Sequence, residues 1–209
     1  GNPSFNSLSE PEEFHTFFEK TFPDAVPLMP TLMEDLQDNP TSSLVTVRCY
    51  PWASNKTLLI GDAAHGIVPF FGQGMNCGFE DCRILNELLN THKDDWHAVL
   101  PIFQQLRKPD TDAIAQLALD NFVEMRDLVA DPEFLLRKKI EARLHELFPE
   151  KWIPLYSMVT FNETIPYSHA YTLGQRQKNI MDEVMKMPDI TTTWQSLNFQ
   201  QLVHRMEEA

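Results

Sequence analysis

Glycine is scarce in this sequence, and its placement excludes the usual start of a dinucleotide-binding domain. Only seven of the 209 residues are glycine, and none of them forms a Gly-x-Gly-x-x-Gly turn after a strand. In doubly wound α/β domains that turn brings a helix N-terminus to the pyrophosphate of the cofactor. We therefore expect that no region of this sequence opens such a domain.

Cysteine, long apolar runs and positive charge are also lacking. The three cysteines, Cys49, Cys77 and Cys82, form no Cys-x-x-Cys pair, and the seven histidines have no ligand spacing, so neither a disulfide framework nor a metal site is predicted. No apolar run reaches the roughly 18 residues that span a bilayer, and no signal peptide opens the chain. The net charge of −13 argues against a nucleic-acid partner. We predict a soluble, cytoplasmic protein.

The sequence is organised around residues 58–76. A short apolar run ends at Gly61, Asp62 follows at once, and a loop with several glycines leads into an amphipathic helix. A strand end that faces a helix N-terminus typically binds anionic or electron-rich groups. The spacing of apolar residues predicts which face of the helix is buried and which is solvated. The predicted buried face comprises Met75, Gly78, Phe79, Cys82, Leu85 and Leu89, and the predicted solvated face comprises Glu80, Asp81, Arg83 and Glu87.

These residues carry a resemblance to a known family. Residues 61–65 (Gly-Asp-Ala-Ala-His), Pro69 and residues 72–81 resemble the second FAD signature of the FAD-dependent aromatic hydroxylases. Within that group, residues 69–76 with 79–82, together with 121–125 and 152–156, are similar to the kynurenine 3-monooxygenase family. The resemblance implies the C-terminal half of such an enzyme. The expected fold is mostly α with a small β component, the later part of an α/β, Rossmann-like FAD-binding fold whose N-terminal half is absent.

The resemblance also implies an activity. A complete relative would hydroxylate L-kynurenine to 3-hydroxykynurenine with FAD, NADPH and O2, and the N-terminal half of the same enzyme would be the partner of this chain. The lack of a C-terminal membrane segment fits a bacterial enzyme. Three alternatives stay open: an inactive fragment, a non-catalytic interaction module, and a related hydroxylase with another aromatic substrate.

By resemblance, Asp62 binds the ribityl chain of FAD, and the helix start binds the pyrimidine edge of the flavin through backbone N–H groups. The residues of that helix start are Gly72, Gln73, Gly74, Met75 and Asn76. Read without the family, Asp62 could instead cap the next turn, and the glycines could serve close packing. His65 is interpreted as structural.

The predicted substrate contacts fall into two groups. Pro69, Phe70 and Gln73 lie beside the flavin in the resembled family, where a core role for the aromatics is the alternative. Asn121, Met125 and Tyr156 match residues that surround kynurenine. Asn121 is anomalous in an apolar helical stripe, because a buried amide needs internal hydrogen bonds or a ligand. No catalytic residue is assigned.

We predict three regions: residues 1–55 (end of the substrate domain and a linking strand), 56–105 (second half of the FAD-binding domain) and 106–209 (C-terminal helices). The first helix should begin at a Ser9 cap and bury Phe14, Phe17 and Phe18. Strands are predicted over 44–50 and 56–60, either as a hairpin or as members of larger sheets. Further predicted helices cover 32–36, 96–107, 112–129, 131–148 and 166–187, and Pro109 is expected to interrupt or kink the helix that begins at Trp96. Residues 152–161 are predicted to be extended or irregular.

Overall fold

The computed structural model describes residues 3–8 and 10–207. Helices make up most of it, and the one sheet in this part of the chain is a hairpin of two short strands. The expectation of a mostly α fold with a small β component is therefore confirmed. Along the chain the structure divides into two units, one up to Leu44 and one from Val45 onward. None of the described helices is long and apolar enough to cross a membrane.

The first unit contains two helices, α1 (Pro11–Thr21) and α2 (Leu32–Asp38), with a 3-10 turn at Val26–Leu28 between them. Phe14 is buried, and its ring lies 4.8 Å from that of Phe18. Phe17 and Phe18 are only half-buried. The predicted cap Ser9 lies outside the described residues, and Glu10 occupies the cap position of α1.

The second unit begins with the hairpin and with the connection over residues 59–73, which is called the motif loop below. Strands β1 (Ala53–Ser54) and β2 (Thr57–Leu58) pair antiparallel, and they lead into α3 (Asp62–His65), a 3-10 turn (Pro69–Phe71) and α4 (Gly74–Thr91). The predicted strand over 44–50 is wrong, because this segment is irregular. It makes one backbone hydrogen bond to the loop, from Val47 N to Gly66 O at 2.8 Å, so it lacks the continuous ladder that defines a strand.

Eight helical segments follow in the described residues, and two sequence predictions fail among them. The segments are α5 (Trp96–Val123), a π-helical turn (Glu124–Leu128), α6 (Pro132–Leu147), α7 (Leu155–Thr160), α8 (Tyr167–Val184), α9 (Ile190–Thr193), a 3-10 turn (Trp194–Ser196) and α10 (Phe199–His204). Helix α5 continues through Pro109, because core residues before and after it, such as Phe103 and Ile114, are both fully buried. Residues 155–160 are helical rather than extended, since that turn buries Met158 and Val159.

Three apolar clusters hold this unit together. The first joins the motif loop to α4, α5, α7 and α8 around Ile114 and Met158, and the second packs α6 and α8 against the C-terminal helices around Ile140 and Met181. The third surrounds Trp52, which is 2% exposed beside Phe103. The motif loop thus lies between two clusters, so its backbone is set by packing on both sides.

The backbone at Gly61 predicts a matched pair of substitutions. Gly61 has φ +59° and ψ −140°, a region that only glycine adopts readily. Gly78 is helical, and a Cβ there would meet the Cα of Gly61 at an ordinary 3.9 Å. We expect Gly61→Ala to lower the free energy of unfolding by about 1–3 kcal/mol, and Gly78→Ala to leave it unchanged or raise it by up to about 1 kcal/mol. Urea denaturation measures both, and equal effects would contradict the backbone explanation.

Candidate functional site

A buried cluster of Asp81, His65 and Arg107, called the Asp81 cluster below, lies beneath the motif loop. Asp81 of α4 has no exposed surface, and neither has Arg107 of α5. Arg107 Nε donates to Asp81 Oδ1 at 2.7 Å, while the ring Nε2 of His65 and the backbone N–H of Gly61 lie 2.5 Å and 3.2 Å from Asp81 Oδ2. An ionised carboxylate can only accept, so His65 donates through Nε2. One side chain therefore joins α3, α4 and α5.

Acidic groups surround the outer end of Arg107. Its Nη1 lies 2.9 Å from Glu80 Oε2 and 3.5 Å from Asp110 Oδ2. These contacts are ion pairs rather than aligned hydrogen bonds, because Nη1 has no partner with hydrogen-bond geometry among the described residues. Nη2 lies 3.5 Å from Cys77 Sγ. The guanidinium is thus compensated by more than one carboxylate, as a fully buried charge requires.

The environment shifts the pKa values of this cluster in definite directions. Burial by itself raises the pKa of Asp81, but hydrogen bonds from His65 and Arg107 outweigh it and hold that pKa below its usual value. Burial by itself lowers the pKa of Arg107, but the hydrogen bond to Asp81 and the nearby carboxylates outweigh it and hold that pKa above its usual value. Burial raises the pKa of Cys77 to about 12. Asp81 is therefore ionised and Cys77 is a neutral thiol at neutral pH.

Three potential metal ligands meet in this cluster: His65, Cys77 and Asp81 have ligand atoms within 4.8 Å of one another. No spacing of ligand residues in the sequence indicates this group. Arg107 already bonds Asp81 and contacts Cys77, so a guanidinium supplies the positive charge that a metal ion would bring. The absence of a metal stays a prediction.

The exposed face of α4 corrects the sequence prediction. Met75 is 71% exposed and Phe79 66% exposed, and Cys82 is exposed as well. Asp81, predicted to be solvated, faces the core together with Cys77. Apolar periodicity alone failed to predict the buried face of α4, because two hydrogen-bond partners from distant positions, His65 and Arg107, make the burial of a carboxylate favourable.

The N-terminus of α4 carries most of the predicted cofactor residues. The first intrahelical bond runs from Cys77 N to Gln73 O at 2.9 Å, and no side chain caps the helix. The N–H groups of Gly74, Met75 and Asn76 therefore have no partner in the described chain, as the geometry of a helix start dictates. Gly72 has φ +68°, and a Cβ there would meet nothing within 4 Å. Position 72 therefore needs glycine for its left-handed backbone conformation, and close packing is not the reason.

Asp62 occupies the first turn of α3, where its side chain is exposed. It makes no capping hydrogen bond to that helix, so the capping alternative raised by the sequence is not realised. Gly61, the preceding residue, packs against Gly78 of α4 and donates to Asp81. The cluster thereby holds the backbone that presents the Asp62 carboxylate.

The predicted substrate residues gather around the 3-10 turn Pro69–Phe71 of the motif loop. Asn121 Nδ2 donates to the backbone oxygen of Phe70 at 2.6 Å and lies 3.6 Å from Met125 Sδ. The anomalous amide of α5 thus has an internal partner, and its Oδ1 keeps its acceptor capacity. The ring of Phe70 lies 4.5 Å from that of Phe122. Loop and helix are therefore joined by a hydrogen bond and a ring contact.

Tyr156, Pro69 and Gln73 complete this group. The Tyr156 ring stacks on Phe71 at 5.6 Å, and Tyr156 is 53% exposed, as is Met125. Pro69 is exposed and Gln73 is buried. Gln73 Oε1 accepts hydrogen bonds from Asn76 Nδ2 at 3.0 Å and from the hydroxyl of Tyr167 at 3.1 Å. Tyr167 was not predicted as a site residue, since no pattern in the sequence connects positions 94 residues apart.

A family model identifies the class of protein domain to which part of this chain is similar. Residues 26–98 match a family model described as an FAD binding domain. This match includes Asp62 and the whole start of α4.

Individual relatives of the chain identify a particular family within that class. The chain is 51% identical over 197 residues to the kynurenine 3-monooxygenase of Christiangramia forsetii (94% of this chain, 44% of the relative) and 49% identical over 195 residues to that of Flavobacterium johnsoniae (93% and 44%). The kynurenine 3-monooxygenase of Candida albicans is 46% identical over 179 residues (85% and 39%). The resemblance to kynurenine 3-monooxygenases is therefore confirmed, and the chain spans less than half the length of these curated relatives.

The Asp81 cluster predicts a large loss of stability on substitution. Asp81→Asn removes the charge that compensates buried Arg107, and breaking a buried ion pair costs about 3–5 kcal/mol of unfolding free energy. Glu87→Gln is the matched control, because Glu87 pairs with Arg83 on the exposed side of the same helix. It should cost less than about 1 kcal/mol. Urea denaturation at pH 7 gives both values, and similar losses would refute the buried pair.

The same pair of variants predicts a pH dependence. The pKa of Asp81 is lower in the folded state than its ordinary value of 3.8. Its contribution to stability is therefore present above pH 3.8 and is lost as the pH falls from there toward the folded-state pKa. The unfolding free energy of the parent protein and of Glu87→Gln should fall in that range, and that of Asp81→Asn should fall less steeply.

Proposed function

We propose that this chain is part of an FAD-dependent monooxygenase that hydroxylates L-kynurenine to 3-hydroxykynurenine with NADPH and O2. The observation that carries the proposal is the start of α4. There, backbone N–H groups without partners in the described residues lie beside exposed side chains, within a region that matches an FAD binding domain. The similarity to kynurenine 3-monooxygenases supports the substrate.

The residues at the start of α4 fit a flavin. Free N–H groups and the positive end of the helix dipole favour negative charge, which suits the pyrimidine edge of the ring system. We assign this contact to the backbone N–H groups of Gln73, Gly74, Met75 and Asn76. The N–H of Gly72, which the sequence also suggested, already donates to Pro69 O at 3.0 Å. The exposed Asp62 carboxylate suits the hydroxyl groups of the ribityl chain, because it can only accept hydrogen bonds. When bound, FAD would supply the redox chemistry that couples NADPH and O2 to the hydroxylation.

The residues around the 3-10 turn fit an aromatic amino acid. Phe70 offers a ring face, and Pro69, Gln73 and Met125 lie on the same loop or on the adjacent turn of helix. Asn121 Oδ1 is free to accept from an ammonium group because its amide nitrogen already bonds Phe70 O. The hydroxyl of Tyr156 can donate to a carboxylate. These side chains would hold the amino-acid end and the ring of L-kynurenine.

We further propose that the remaining part of a Rossmann-like FAD-binding fold, the N-terminal half of the enzyme, is the partner of this chain. Exposed Met75 and Phe79 on α4 support this, since large apolar side chains grouped on one face often mark an interface. The chain also spans only 44% of its first relatives. The division into residues 1–55, 56–105 and 106–209 belongs to the same proposal, as does a cytoplasmic location. The isolated chain is then inactive.

The experiment compares this chain with an enzyme that carries both halves. Intact mass and flavin absorbance are measured for each after addition of FAD, followed by NADPH oxidation with and without L-kynurenine. We expect the two-half enzyme to hold flavin and to form 3-hydroxykynurenine, and this chain to remain colourless. A two-half enzyme that ignores L-kynurenine would overturn the proposed substrate, and flavin bound by this chain alone would overturn the need for the partner.

Tyr156→Phe tests the substrate contact in that enzyme. Loss of a hydrogen bond to a charged group should raise KM for L-kynurenine about tenfold. Tyr50→Phe is the matched control, because Tyr50 is 58% exposed and belongs to neither group of predicted contacts. Steady-state kinetics of both variants decide the point, and an unchanged KM in Tyr156→Phe would remove Tyr156 from the substrate site.

A further inference from the structure

We propose that Tyr167 is a positioning residue that acts through Gln73 and fixes the polar groups at the start of α4 for substrate binding. This inference rests on the function proposed above. Tyr167 is the first residue of α8, and its hydroxyl lies 3.1 Å from Gln73 Oε1. Neither the sequence motifs nor the family resemblance assigns it a role.

Two donors determine the orientation of the Gln73 amide. Asn76 Nδ2 lies 3.0 Å from the same oxygen, and an amide nitrogen can only donate. The acceptor is therefore the oxygen of Gln73, and its Nε2 points away from both donors as the group that remains for a ligand. Gln73 is only 5% exposed, so the hydrogen bonds, and not solvent, select this orientation.

The backbone of Tyr167 is itself held in place. Asp110 Oδ1 accepts from the N–H of the next residue, Ser168, at 2.9 Å, and the other oxygen of Asp110 lies 3.5 Å from Arg107 Nη1. The start of α8 is thus tied to the Asp81 cluster. Burial raises the pKa of Tyr167, so its hydroxyl stays protonated and remains a donor throughout the physiological range.

The three side chains Tyr167, Gln73 and Asn76 line one groove of about 810 Å³. In the proposed enzyme Gln73 and Asn76 belong to the flavin and substrate surroundings, whereas Tyr167 acts behind them. Without the hydroxyl, Gln73 Oε1 keeps only the bond from Asn76. The side-chain amide of Gln73 can then rotate by about 180°, so that its oxygen takes the position from which Nε2 would donate to a ligand.

The test uses the two-half enzyme loaded with FAD. The dissociation constant of L-kynurenine is read from the change in flavin absorption without NADPH, and kcat/KM is read from turnover. Tyr167→Phe should weaken binding and lower kcat/KM by about three- to tenfold, the worth of one ordinary hydrogen bond. Tyr171→Phe, on the next turn of α8, should change neither, because its hydroxyl has no hydrogen-bond partner among the described residues.

A double-mutant cycle separates a positioning role from a general loss of structure. In a Gln73→Ala background, Tyr167→Phe should cause no further loss if it acts through Gln73. Additive losses, or a Tyr167→Phe variant that behaves like Tyr171→Phe, would overturn the inference while the proposed function stands. A parent enzyme that does not bind L-kynurenine would overturn both.

Discussion

The burial of one carboxylate, Asp81, is the constraint on which the rest of this structure depends. Removing an ionised group from water costs several kcal/mol unless it is paired and hydrogen-bonded. Asp81 meets that requirement with Gly61, His65 and Arg107, which come from different elements. The motif loop, α4 and α5 can therefore adopt only arrangements that bring these groups together.

This constraint explains how the backbone at the start of α4 and at Asp62 is held in place although both are exposed. The start of α4 lies one to two turns before Asp81, and Asp62 directly follows Gly61. Both are thus attached to the cluster through short stretches of backbone. On the other side of the loop, Asn121 binds the carbonyl of Phe70. The buried face of the loop carries the structural bonds, and these bonds do not occupy the outer face.

The sequence predicted the motif, the helix that follows it and most helix boundaries, because these depend on local signals such as glycines, caps and prolines. Helix α4 and the cap of α6 at Asp131 are confirmed. The predicted interruption at Pro109, the strand over 44–50 and the extended segment at 155–160 are wrong. At Pro109 and at 155–160, packing of buried residues outweighed the local preference. The segment 44–50 lacks a continuous ladder to a neighbouring strand in the described chain, so its β preference is not realised.

The sequence by itself determined that this is a helical protein with an FAD-type motif, since that information lies in the order of neighbouring residues. It also identified Asn121 as an amide in need of partners. Only the tertiary structure decided which face of α4 is buried and what binds Asn121. It alone brought Tyr167 to Gln73. Hydrogen bonds and ion pairs between residues far apart in the chain leave no periodic trace in the sequence, so they emerge only when the helices pack.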